Sequence, residues 1–347
     1  MTYRLTWRRY RLPFLRPVRT AHGPWMLREG LLVRLEDDAG CPGFGEVAPI
    51  PWFGTETLAG AEAELAKLGG TVEAASLEGI DEGYGCLRFA LGVASAEAGR
   101  ATSDSLASPP GRLPVAALLP AGKAALAALD KARAEGYVAF KWKVGVLGAA
   151  DEQVLLDDLL ARLPQDAKLR LDANGAWTAR QAARWLDRCA ERPIEFVEQP
   201  CFADPSQGTP SQRRIEDVLL GLARDYPTKL ALDESVAGMR SLRTWLGRGW
   251  PGVLVVKPAL LGAPAGVLAL LDRHQADVVF SSALETAVGQ RAALRVAFQF
   301  KGAPERALGF GVAPLFEDAR FDGQRVPFLS IEDVNQLDPT PVWNALN

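Results

Sequence analysis

An α/β fold is the class this sequence predicts: a closed barrel of alternating strands and helices carrying a smaller α+β unit. Three observations predict it. From Pro114 onward, short apolar runs alternate with amphipathic helical stretches. Before that point, two strand-like segments are followed by two helical ones. Between these regions, residues 102–114 are rich in Ser, Pro and Gly and have the composition of a linker.

In chain order, Tyr3 to Trp7 and Gly30 to Glu36 alternate apolar and polar residues as strands do, with turn chemistry at Asp37-Asp38-Ala39-Gly40. Residues 55–68 and 85–98 are Ala-rich and predict helices. In the barrel region the predicted strands are 115–120, 138–145, 168–174, 195–200, 229–235, 253–260 and 278–285, with a weaker eighth at 307–312. Helices are predicted between them at 121–136, 151–163, 178–192, 212–226, 240–249, 263–275 and 288–301. Thr178 supplies an N-cap signal and Gly136 a C-terminal one. The rival architecture is a doubly wound open sheet, but no Gly-x-Gly-x-x-Gly follows the first strand and no P-loop is present.

Composition narrows the function. Of 347 residues, 48% are hydrophobic and 23% charged, which supports a large core and argues against disorder. Lys plus Arg number 39 against 42 acids, so bulk charge does not recruit nucleic acid. No apolar run approaches the roughly 20 residues of a membrane helix, and charges interrupt the first residues too often for a signal peptide. Four cysteines without a Cys-x-x-Cys pair predict reduced thiols and a cytoplasmic protein. The two histidines, His22 and His274, exclude a His-rich zinc site, and His274 sits at a predicted helix end, where a cation suits the helix dipole. Acid–base chemistry therefore falls to Lys, Asp or Glu.

Charge placement along the predicted strands is the informative pattern. Successive strands end in Lys141-Trp142-Lys143, Asp172-Ala173-Asn174, Glu198-Gln199-Pro200, Asp233-Glu234-Ser235 and Lys257-Pro258. One such charge is explained by helix capping or a snorkelling lysine. Five in succession converge on one barrel mouth, where barrel active sites lie. Asp172, Glu198 and Asp233 make an all-oxygen donor set suited to Mg²⁺. Lys143 and Lys257 stand on strands nearly opposite each other, and Lys141, two residues from Lys143, shares its inward face. A divalent cation holding a substrate carboxylate stabilises the dianion formed when the adjacent carbon loses its proton, and a lysine beside a second cation favours its neutral, basic form. The implied chemistry is proton abstraction α to a carboxylate of a small molecule. Lys257, with no cationic neighbour in sequence, is expected to stay charged.

These five motifs, in order, resemble the enolase superfamily and its muconate-lactonizing subgroup. The resemblance spans nearly the whole chain. It implies a modified (β/α)₇β barrel over residues 113–320 and an α+β cap over 1–112, joined by the tail 321–347. Leu12-Pro13-Phe14, Thr20-Ala21-His22-Gly23, Arg28-Glu29-Gly30, Gly43 to Pro49 and Ser281-Ser282-Ala283-Leu284-Glu285 make it most similar to the o-succinylbenzoate synthases of menaquinone and phylloquinone biosynthesis. It implies metal ligands at Asp172, Glu198 and Asp233 and a general base at Lys143, which then returns a proton to the departing hydroxide. It further implies Lys257 as the opposite, charge-stabilising lysine, with Lys141 and Asn174 in support. The implied reaction is syn elimination of water from 2-succinyl-6-hydroxy-2,4-cyclohexadiene-1-carboxylate.

Weaker signals complete the expectation. Glu234 adjoins a ligand but points oppositely along a strand, so it supports or ligates with equal reason. Arg170 is expected to make an ion pair inside the barrel. His22, Ser281, Ser282 and Glu285 are candidates for the substrate pocket, and Trp52-Phe53-Gly54 for a lid or for cap-to-barrel packing. Sister activities that share the lysines are N-succinylamino acid racemase, muconate cycloisomerase and dipeptide epimerase. The Asp-x-Asp typical of the last is absent from Leu308-Gly309-Phe310-Gly311-Val312. A catalytically dead scaffold would be expected to lose at least one of the five charges, and all are present.

Overall fold

The computed structural model, which describes residues 1–20, 23–99, 111–203, 209–302 and 306–346, opens on a long antiparallel hairpin. Strand β1 (Thr2–Thr20) pairs with β2 (Gly23–Glu36), β3 (Pro42–Val47) adds to β2, and β4 (Thr71–Glu73) adds to the other side of β1. Both predicted strands are parts of much longer ones. Pro13 and Pro17 break the sequence alternation, and the ladder absorbs them in an irregularity of register between Pro13 and Val18. The strand at 42–47 was not predicted, since two glycines interrupt its apolar pattern.

Those glycines have a packing reason. Helices α1 (Leu58–Leu68), α2 (Ala74–Glu78) and α3 (Gly85–Ala98) follow the hairpin, and α3 buries Leu87, Phe89, Ala90 and Ala94. The backbone of β3 runs so close to α3 that a Cβ on Gly45 would lie 2.1 Å from the Ala90 carbonyl oxygen. The predicted helix at 55–68 starts later, at Leu58, because the Thr57 side chain accepts from the Gly60 amide and caps it there.

Eight parallel strands then form the barrel: β5 (Arg112–Leu119), β6 (Ala139–Lys143), β7 (Lys168–Asp172), β8 (Ile194–Glu198), β9 (Leu230–Leu232), β10 (Val253–Val256), β11 (Val278–Phe280) and β12 (Leu308–Gly311). β12 pairs with β5, and a parallel bridge from Ser281 to Gly309 closes the ring. Around it lie α4 (Ala124–Ala134), α5 (Ala149–Arg162), α6 (Ala179–Cys189), α7 (Thr209–Asp225), α8 (Met239–Gly247), the short α9 (Pro258–Leu261), α10 (Pro264–Arg273) and α11 (Ala287–Gln299). After β12 the chain leaves the barrel without an eighth wall helix, so the architecture is (β/α)₇β.

Phe196, Ala231, Val253, Val255 and Val279 pack the barrel interior. Arg170, 1% exposed, lies over the Phe196 ring at 4.8 Å and donates to Glu195 at 2.7 Å, and Glu195 also pairs with Arg306 at 2.6 Å. This ion-paired plug closes the end opposite the mouth.

Downstream of the barrel, β13 (Phe328–Ser330) pairs antiparallel with the start of β5, and α12 (Ile331–Asn335) packs on α11. Helix α13 (Pro339–Asn344) lies against the N-terminal sheet, where Val342 and Trp343 join Tyr10, Leu12 and Phe44 in one apolar cluster. Arg8 donates to the carbonyls of Trp343 (2.7 Å) and Leu346 (2.6 Å), with its guanidinium 4.6 Å from the Trp343 ring centre. Among the described residues no helix is long and apolar enough to cross a membrane.

Candidate active site

The barrel register sets the site. Lys143 on β6 is level with Asp172 on β7, which is level with Glu198 on β8, so three of the predicted charges form one row. Asp233 and Lys257 stand just beyond the ends of β9 and β10. Here the structure shortens the predicted strands: Pro258 opens α9 directly after Lys257, and residues 281–285 form a loop after β11. The ladders stop where the backbone turns to feed the next helix, and the functional groups sit on those turns. Trp142, between the two lysines, is fully buried on the outer side of the barrel wall.

A cavity of about 270 Å³ covers this row. Lys141, Lys143, Asp172, Asn174, Asp233, Glu234 and Lys257 form its polar floor. Ser281 and Ser282 line one side, while Trp25 on β2 and Trp52 and Phe53 on the short helical turn after β3 reach over it. Trp25 and Trp52 meet edge to face at 4.8 Å, and the Phe53 ring lies 5.3 Å from Lys257 Nζ. Glu198 lies beneath this floor, 1% exposed. Two candidates fall elsewhere. Glu285 is turned away from the cavity, its carboxylate accepting from the Ala283 amide at 2.5 Å. His22 lies outside the described residues, as do residues 101–110, which make up most of the predicted linker.

Within the floor, Lys141 donates to Glu198 at 2.6 Å and pairs with Asp172 at 2.9 Å. Burial works against its charge, but the two carboxylates outweigh burial and hold the ammonium above the ordinary lysine range. Lys257 Nζ contacts Asp233 Oδ1. Burial nevertheless pushes Lys257 down to about 7, with the Lys141 ammonium adding to the fall and Glu198 opposing it. The expected contrast, with Lys257 insulated from other cations, thus does not hold: Lys141 stands close enough in space to act on it, a proximity that spacing along the chain does not reveal. Asn174, with φ of 43°, donates from Nδ2 to Glu234 at 3.0 Å, while its amide donates to Asp172 Oδ1 at 3.0 Å. Burial, then the Asp172 charge, raise the Glu234 carboxyl to about 7.

Sequence reasoning missed Gln199 as a functional residue. Fully buried at φ 35°, it accepts from the amides of Asp233 (2.9 Å) and Ser235 (3.1 Å) and donates to the Cys201 carbonyl (2.8 Å) and Ser235 Oγ (2.8 Å). It fixes the turn that presents Asp233. A polar residue directly after a strand-end acid was the available signal.

Among the described residues, no three His, Cys, Asp or Glu side chains already surround one point as a metal cage does. The ammonium groups of Lys141 and Lys257 are paired with the carboxylates instead. The donor chemistry nonetheless fits a hard divalent cation. Three carboxylates stand at or one residue past the ends of successive strands, and Asn174 Oδ1 and Glu234 Oε2 are buried without a hydrogen-bond partner beside them.

Residues 124–327 match the sequence family described as Enolase C-terminal domain-like. The chain belongs to the enolase superfamily. Residues 3–98 match a second sequence family, described as MenC, N-terminal domain. An o-succinylbenzoate synthase from Thermosynechococcus vestitus is 40% identical over 317 residues, covering 89% of this chain and 92% of that protein. Another from Pectobacterium atrosepticum is 31% identical over 357 residues, covering 97% and 98%. Among solved structures of the superfamily, the o-succinylbenzoate synthase of Thermosynechococcus elongatus, complexed with magnesium in its active site, superposes with TM-score 0.82 at 36% identity over 99% of this chain and 100% of that one. The L-Ala-D/L-Glu epimerase of Bacillus subtilis shares the fold, with TM-score 0.77 at 21% identity over 94% of this chain and 95% of that one.

Proposed function

We propose that this enolase-superfamily chain is an o-succinylbenzoate synthase, a Mg²⁺-dependent lyase that removes water from 2-succinyl-6-hydroxy-2,4-cyclohexadiene-1-carboxylate to give 2-succinylbenzoate for menaquinone synthesis. The relatives just described support that reading. The observation in the site that carries it is a single cavity with a lysine-and-carboxylate floor and an aromatic roof. Where β12 meets that cavity stand Gly309 and Gly311, so no acid is offered there to a substrate ammonium. An anionic, partly apolar ring substrate matches such a lining better than a dipeptide.

In this reading Asp172, Glu198 and Asp233 hold the cation, and Lys141 neutralises the excess charge of the acids. Bound there, Mg²⁺ supplies a Lewis acid for the substrate carboxylate. Lys143 Nζ takes the proton from C1, the C1–H electron pair becomes the new ring double bond, and the C6–O bond breaks. The same lysine gives its proton to the leaving hydroxyl, so water departs from the face the proton left. Lys257, across the cavity, would supply positive charge to the carboxylate while C1 carries the extra electron pair, the substrate's own negative charge favouring the ammonium against the burial that otherwise lowers it. Phe53 covers Lys257 and helps exclude water from it. The N-terminal unit with α13 serves as the cap and the barrel of β5 to β12 as the catalytic unit, while β13 and α12 of the tail brace the barrel itself, so the expected assignment of all of 321–347 to the cap is cut back to its last helix. The four cysteines are all unpaired, in keeping with a cytoplasmic setting.

The test is single-turnover dehydration followed by the absorbance of the aromatic product, with metal saturating. Wild type should turn over and Lys143→Ala should lose at least about 10³-fold, the scale of a general base. Activity of Lys143→Ala within about tenfold of wild type, a difference of ~1.4 kcal/mol, would remove Lys143 as the base. Exchange of the C1 proton into solvent in Lys143→Ala but not in Lys257→Ala would give that role to Lys257. Racemisation of N-succinylamino acids without dehydration would replace the synthase reading.

A further inference from the structure

Arg28 lies on β2, outside the barrel and outside the row of charges, yet it is 1% exposed and ends at the cavity wall. Its guanidinium carries five N–H groups, and backbone carbonyls take all of them. Nε donates to Leu284 at 3.0 Å. Nη1 donates to Pro49 at 2.8 Å and Glu29 at 3.2 Å. Nη2 donates to Ala48 at 2.5 Å and Ala283 at 3.3 Å. Two of these carbonyls belong to the turn after β11 that lines the cavity from the barrel. Two others immediately precede Ile50, which with Trp52 and Phe53 lines it from the opposite unit. The guanidinium also lies 5.1 Å from the ring centre of Trp25, a third part of the roof.

A second observation points the same way. Leu284 holds φ of 60°, a left-handed conformation that a leucine adopts only when its surroundings impose it. Its carbonyl is bound by Arg28 and its amide by Ser282 Oγ at 2.9 Å. The strained residue is held at both of its backbone polar groups, and one of the two restraints comes from another unit of the fold.

We propose that Arg28 is a positioning residue that locks the 281–284 turn to the 50–53 segment, so that the two walls of the substrate cavity move as one. It touches no reacting atom. Its effect falls on how well the substrate is gripped, and the lysines on the barrel strands keep their places without it. This inference rests on the synthase reading for its assay.

Arg28→Lys keeps the charge and loses the five-pronged reach. It should raise KM by about tenfold or more with kcat within about threefold, the signature of lost binding common to ground and transition states. Glu46→Gln loosens the same interface elsewhere: Glu46 binds the Tyr10 hydroxyl and the Thr286 and Gly289 amides. That variant should melt earlier with KM unchanged. An unchanged KM in Arg28→Lys, or an equal rise in Glu46→Gln, overturns the proposal. Should Arg28→Lys not fold, hydrogen exchange of the wild type with and without 2-succinylbenzoate decides. Product should protect 48–53 and 282–286 together, and protection of only one segment overturns the coupling. A wild type that neither turns over nor binds product, by tryptophan fluorescence, would instead fail the synthase reading.

Discussion

Glu285→Gln should stabilise this protein, and by an amount that depends on pH. Glu285 is 3% exposed, and its Oε1 is buried without a partner. Burial, with the nearby Glu46 carboxylate adding to it, raises its carboxyl from the ordinary 4.5 to about 7, against partial relief from the Ala283 amide and Ser282. Between those values the folded protein keeps a proton that the unfolded chain has released. The stability this proton contributes is fully present below pH 4.5 and is lost as pH rises through 7. At about 1.4 kcal/mol per pH unit, the ceiling on that loss is roughly 3 kcal/mol. For a chain of 347 residues, unfolding entropy scales to about 0.7 kcal/mol/K, so the ceiling corresponds to about 4 °C in Tm. Glutamine has the same shape, still accepts from Ala283, and cannot ionise. Thermal melts of both proteins at pH 5 and pH 8 are the assay. The variant should nearly match wild type at pH 5 and exceed it at pH 8 by up to about 4 °C. An equal offset at both pH values, or a less stable variant at pH 8, would refute the reasoning.

Other outcomes follow from the same geometry. Mg²⁺ at about a hundredfold over its Kd should stabilise wild type by about 2.7 kcal/mol. Asp172→Asn should lose that increment, read by melting with Mg²⁺ and with chelator, and an undiminished increment would remove Asp172 from the ligand set. Gly45→Ala should destabilise by roughly 3 kcal/mol or more, because its new Cβ would lie 2.1 Å from the Ala90 carbonyl oxygen on a helix that cannot easily shift. A denaturant midpoint unchanged in this variant would contradict the close approach of β3 to α3.

The barrel was legible because each of its strands carries a short apolar run whose last residues change character. That change also exposed Lys143, Asp172, Glu198, Asp233 and Lys257 as a set. What the sequence concealed depends on distant partners. The length of β1 was hidden by prolines that a register irregularity accommodates. Glu285 looks like the sixth member of the row, but one turn past β11 its side chain folds back on its own backbone. Arg28 and Glu46 sit in ordinary strand patterns, and only the approach of the 283–289 segment makes them significant. The electrostatics of Lys257 depend on Lys141, which is 116 residues earlier in the chain and close only in space.

The seat of α13 on the N-terminal sheet sets a timetable for synthesis. Arg8 meets the Trp343 carbonyl across 335 residues. At a ribosomal pace of about 5–20 residues per second, roughly 20–60 s separate the emergence of the two. Throughout that interval Tyr10, Leu12 and Phe44 are on a nascent chain whose cover, Val342 and Trp343, has not yet been made. The apolar face of the first strands must stay uncovered until α13, the last helix, has been made.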